Sequence, residues 1–156
     1  MTDQVEEKIF LARVAEQAER YEDMVDFLEE VLKTKGGSVN ADERNLLSVA
    51  FKNLISSKRQ ACRTITAIEQ NPKYSKYLDA LLAYKKQIEG KLADDCQKVI
   101  DMINNRVLSG SCENEAKAFF IKMVGDYYRY IAENAKDDKL EEVKLAANKA
   151  LSLIHI

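Results

Sequence analysis

From Ala41 to Gln70 the chain runs without a glycine or a proline, and it is broken only at Asn71-Pro72, which holds the sole proline of 156 residues. Proline disfavours helical geometry in the residue before it, so the stretch before this break reads as one helix of nearly thirty residues, with Asn40 or Asp42 able to cap its start. Five glycines in the whole sequence are too few for the turns that short strands need, while Ala, Leu, Glu and Lys abound. These features predict an all-α fold. With 46% hydrophobic residues in 17.8 kDa, one domain has enough apolar matter for a core, which excludes a disordered tail.

Helical periodicity recurs six times. The first segment runs from about Asp3 to Ala18. The second, about Tyr21 to Lys35, spaces Tyr21, Met24, Val25, Leu28, Val31 and Leu32 by threes and fours and stops at Gly36-Gly37. The long third segment follows. The fourth spans about Lys76 to Leu108 before Ser109-Gly110-Ser111, the fifth about Glu113 to Asn134, and a sixth begins near Lys139 after the Lys136-Asp137-Asp138 turn. Short connections predict antiparallel neighbours. At 1.5 Å per residue, two of the helices span about 40 to 50 Å, which predicts an elongated array with a groove along which something binds.

A formal net charge of -2 gives no global attraction to nucleic acid or to an anionic membrane, so an anion site must be a local cluster. The cations also sit without aromatic-basic interleaving, and no stretch approaches the roughly 20 apolar residues of a membrane span. Neither nucleic acid nor a membrane is expected as a partner. Met1 to Phe10 has no apolar signal core, and the chain reads as cytoplasmic. Cys62, Cys96 and Cys112 form no CxxC pair and His155 is the only histidine, so the thiols read as buried and no metal site or cofactor is expected. An enzyme is also disfavoured: no Ser/His/Asp set can be built around His155, and no Gly-rich loop precedes a helix.

Successive helical residues turn by about 100°. On the third segment this aligns Lys52, Ser56, Arg59 and Arg63, with Leu47, Phe51, Leu54, Cys62, Ile65 and Ile68 on other faces. On the fifth it aligns Lys122, Asp126, Arg129 and Glu133, with Tyr130 beside Arg129. Were the two stripes to face each other, Arg59 and Arg129 would offer two guanidinium forks to one dianion, Lys52 a point charge and Tyr130 a hydroxyl donor, which suits a phosphate monoester. A solvated charged face is the alternative that spacing alone leaves open.

Four blocks occur in order: Ala15–Met24 (AEQAERYEDM), Glu43–Asn53 (ERNLLSVAFKN), Ile68-Glu69-Gln70 and Lys122–Tyr130 (KMVGDYYRY). Together they resemble the 14-3-3 family over nearly the whole chain, about Val5 to Ala150, fading in the sixth helix. The resemblance implies an antiparallel helical array, six helices here of the family's nine, in a domain covering residues 1–150, followed by a divergent tail at 151–156. It also implies an adaptor without catalytic activity that docks phosphorylated client proteins in a basic groove and regulates signalling. The family's phosphate pocket maps onto Lys52, Arg59, Arg129 and Tyr130, with Lys122 and Arg63 lining the groove. Asp126 and Glu133 are expected to pin the arginines from within their own helix.

The family's last three helices, which line the apolar wall of the groove, have no counterpart in this sequence. Their absence predicts uncovered apolar surface on the fifth and sixth helices and leaves, as an alternative, a helical scaffold or dimerisation module that binds without phosphate. By the same resemblance the dimer interface comprises Val14, Ala18, Arg20, Asp23, Ile65, Tyr84, Gln87 and Lys91. Arg20 would there face Lys91, and Asp23 would face Gln87 and lack a cationic partner. A weakened homodimer, or a heterodimer with a 14-3-3 chain of complementary charge, is expected.

Overall fold

The computed structural model describes residues 2–134 and 137–152. Among them are six α-helices: α1 (Thr2–Gln17), α2 (Tyr21–Lys35), α3 (Ala41–Glu69), α4 (Leu78–Ile103), α5 (Asn114–Asn134) and α6 (Asp137–Ser152). Each packs chiefly against its neighbours in sequence. Lys58 bonds Asp95 while Glu69 bonds Lys85, so α3 and α4 run antiparallel. The accessible area of 9800 Å² exceeds the roughly 8000 Å² of a compact protein of this mass, in keeping with an extended array.

The ends of α3 follow from local chemistry. The Asn40 side chain accepts the Glu43 N–H at 2.8 Å, and Glu43 accepts the Asn40 N–H at 3.1 Å, a reciprocal cap. Glu43 is also the one charged side chain buried among the described residues, and Lys35 neutralises it at 2.5 and 2.8 Å. The α2–α3 connection begins at Gly36, with φ +53°, and a Cβ on Gly37 would lie 2.4 Å from the Ser111 carbonyl oxygen. These glycines therefore seat this turn against the α4–α5 connection.

Two boundaries differ from expectation. Residues Pro72–Tyr77 form a 3-10 segment, with no buried side chain to anchor an α-helical face, and α4 begins only at Leu78. Its far end passes into a π-helical turn, Asn104–Leu108. The segment also corrects the reading that basic and aromatic residues do not interleave: Lys73 lies over Tyr74 and Lys76 over Tyr77, at 5.8 and 5.1 Å from the ring centres.

The core joins Met24 and Leu28 of α2, Leu47, Phe51 and Ile55 of α3, Leu92, Ile100 and Ile103 of α4, and Phe120 of α5. Buried residues of α4 begin at Leu92, so its first half projects beside the end of α3 with little cover. Exposed large hydrophobics gather on α1 (Phe10, Val14) and around this projection (Ile68, Tyr74, Tyr77, Leu78, Leu82, Tyr84), with Leu145 on α6. None belongs to α5, contrary to the expectation for that helix, because Phe120, Met123, Val124, Tyr127 and Ile131 are buried within the array. Cys62 and Cys96 are buried as expected, whereas Cys112, on the α4–α5 connection, is only half-buried. No described helix is long and apolar enough to cross a membrane.

Candidate functional site

Phe51, Leu54, Ile55, Cys62 and Ile65 hold the inner face of α3, leaving Lys52, Ser56 and Arg63 exposed and Arg59 partly so on the stripe that periodicity predicts. The Phe51 ring meets Tyr127 of α5 edge-on at 6.3 Å, Tyr127 meets Tyr130 edge-on at 5.4 Å, and the Arg59 guanidinium lies 4.1 Å from the centre of the Tyr130 ring. A ladder of rings thus runs from the core to a cation. Passing from Phe51 to Arg59 on α3 corresponds to passing from Tyr127 to Glu133 on α5, so these two helices run in the same direction, with α4 packed against both.

Arg59 donates through Nε and Nη2 to the two carboxylate oxygens of Glu133, at 3.3 and 3.0 Å. This corrects the expectation that Glu133 pins Arg129 from one turn away: Glu133 reaches across to α3. Asp126 does act within its helix, accepting from Arg129 and from Lys122, the latter at 2.9 Å. Lys52, two turns before Arg59, makes no ion pair among the described residues, and neither does Arg63. Among the described residues the ion pairs of these cations are Arg59 with Glu133 and Lys122 and Arg129 with Asp126, so the two helix stripes carry five cations and two carboxylates.

Burial, by penalising the thiolate, pushes the Cys96 thiol up to about 12 and likewise raises the Tyr127 hydroxyl. Both groups are neutral at physiological pH and serve as packing behind the cations. Periodicity missed the ring ladder; the i, i+3 spacing of Tyr127 and Tyr130, with Phe51 next to Lys52, was its only trace. Among the described residues no cluster of three His, Cys, Asp or Glu side chains is arranged to hold a metal ion. His155 and the last four positions of the tail lie outside the described residues.

Of the interface candidates, Val14, Ala18, Arg20, Tyr84, Gln87 and Lys91 are exposed and Asp23 is half-exposed. Ile65 is corrected: at 7% exposure it is already buried within the chain. Within the chain Arg20 donates to Asp23 at 2.9 Å, which raises the arginine's pKa.

A family model described as "14-3-3 protein" matches residues 11–152. A 14-3-3-like protein of Helianthus annuus is 40% identical over 152 residues, covering 94% of this chain and 58% of the relative. The 14-3-3 protein 3 of Entamoeba histolytica is 40% identical over 157 residues, covering 97% and 63%. A 14-3-3-like protein of Solanum tuberosum is 37% identical over 155 residues, covering 97% and 60%. The chain therefore spans about three fifths of the length of these curated relatives.

Proposed function

The chain belongs to the 14-3-3 family, and from that premise we propose that it is a non-enzymatic adaptor that binds phosphoserine or phosphothreonine segments of client proteins through Lys52, Arg59, Arg129 and Tyr130. The observation that carries this reading is the seating of the Arg59 guanidinium on the Tyr130 ring across from α3, beside an α5 surface on which Arg129 and Lys122 are exposed. Guanidinium forks match the oxygens of a phosphate dianion, and Lys52 adds a point charge with no competing ion pair among the described residues. Long helices and a packed ring hold the cations before the ligand arrives, so little ordering entropy is lost on binding. A carboxylate offers less charge and one oxygen fewer, so glutamate is a poor substitute for phosphoserine. Lys122 and Arg63 extend the basic surface along the groove, and the protein works in the cytoplasm.

The reading includes self-association. Val14 and Tyr84, with Phe10, Leu78 and Leu82, supply exposed apolar area on α1 and the projecting half of α4 for a homodimer or for a heterodimer with another 14-3-3 chain.

Calorimetric titration of a phosphoserine peptide into the wild-type, Arg59→Ala and Arg129→Ala proteins tests the pocket. Each substitution removes charge-assisted hydrogen bonds worth about 1.5 to 3 kcal/mol, so each is expected to weaken binding by roughly tenfold to a hundredfold. Peptide affinity unchanged in both variants would mean that clients dock elsewhere and without their phosphate.

A further inference from the structure

We propose that the two carboxylates of this site act in opposite senses: Asp126 organises the α5 cations for an anion, whereas Glu133 is a resting counter-ion on Arg59 that competes with one. The inference rests on the phosphate-binding reading above and specifies what sets the affinity of that same site.

The geometries of the two carboxylates differ. Asp126 has an 18% exposed side chain and is held down beside the helix, while its partners Lys122 and Arg129 are 67% and 60% exposed. Both partners come from its own helix, one turn to either side, and Arg129 gives it a single Nη2 donor, so most of the fork stays free. Asp126 therefore fixes where two cations stand without covering them.

Glu133 does the reverse. It reaches from another helix and occupies Nε and Nη2 of Arg59 together, the side-on edge that a phosphate uses for a paired contact. Arg59 is only 22% exposed, and one face of its guanidinium is covered by the Tyr130 ring. Little of this arginine is left to a ligand while Glu133 stays in place. An incoming dianion must displace the carboxylate or sit beside it, and both cost affinity, the first through a lost ion pair and the second through repulsion. At 44% exposure Glu133 can swing into water, so the contact is a brake rather than a block.

The opposed signs give the test. Glu133→Gln keeps the length of the side chain and an acceptor for Arg59 but removes the charge, and its partly exposed position puts folding at little risk. Titration of a phosphoserine peptide at fixed ionic strength is expected to show Glu133→Gln binding roughly threefold to tenfold tighter than wild type. Glu133→Asp, which restores the charge, is expected to bind close to wild type, and Asp126→Asn more weakly. A merely structural role for Glu133 would give weakening instead. Phosphopeptide binding that Glu133→Gln leaves unchanged or weakens, or that Glu133→Asp or Asp126→Asn tightens as much, would overturn the opposed roles and leave the pocket standing. No phosphate-dependent binding in any of the four proteins would overturn both the pocket and its brake.

Discussion

Arg59 shows how much one residue's surroundings decide. Its charge is placed by a ring ladder rooted in the core, and its accessibility is set by a carboxylate from another helix. The three thiols of the chain are graded by burial. The thiolate is the nucleophile, and for Cys96 a pKa of about 12 keeps the group protonated well above neutral pH, while Cys62 and Cys112 are raised less far. Iodoacetamide at pH 8, followed by peptide mass spectrometry, is expected to modify half-buried Cys112 first and Cys96 last. Labelling of Cys96 as fast as Cys112 would show that α4 opens far more readily than its packing indicates. The alignment of Lys52 with Arg59, and of Lys122 with Asp126 and Arg129, was legible because a helical period fixes angles within one helix. The partner of Glu133 was not, because no period states which helix faces which.

Element boundaries were legible where the backbone itself is constrained. Gly36-Gly37 and Asn71-Pro72 mark ends in the sequence because the first supplies a positive φ and a close approach and the second blocks helical continuation. The end of α1 carries no such mark. There the Glu19 N–H donates to the Glu16 carbonyl at 3.0 Å and the Arg20 N–H to the Ala15 carbonyl at 2.8 Å, with Glu19 at φ +56°. This is a left-handed helix cap in which glutamate stands where glycine is favoured. Glu19→Gly is expected to raise stability by about 0.5 to 1 kcal/mol, since relief of the left-handed strain outweighs the extra freedom of the unfolded chain, and thermal melting checks it. A lowered Tm would mean that the Glu19 side chain contributes more than its backbone geometry costs. The fourth periodic segment, from about Lys76 to Leu108, takes in the last two residues of the 3-10 segment and the whole π-turn at Asn104–Leu108, because local winding of this kind does not interrupt the apolar spacing.

At the scale of the molecule, helix lengths alone announced an extended array, and the same extension leaves apolar side chains on α1 and the projecting part of α4 uncovered. If these make the dimer proposed above, its charges contribute little, because Arg20 and Asp23 already close on each other within one chain. Sedimentation is then expected to show a homodimer that dissociates at roughly micromolar concentration and is not loosened by salt, which screens exposed ion pairs. A nanomolar dimer that salt dissociates would reveal intersubunit ion pairs that this arrangement does not supply.

In the function proposed above, α3 and α5, ordered by α4 between them, already form a phosphate-selective site. Fluorescence anisotropy of one labelled phosphoserine peptide and its unphosphorylated twin, each titrated with the full chain, tests this most directly. Saturable binding of the phosphopeptide alone is expected. Equal binding of the two peptides, or binding of neither by a folded helical sample, would contradict it.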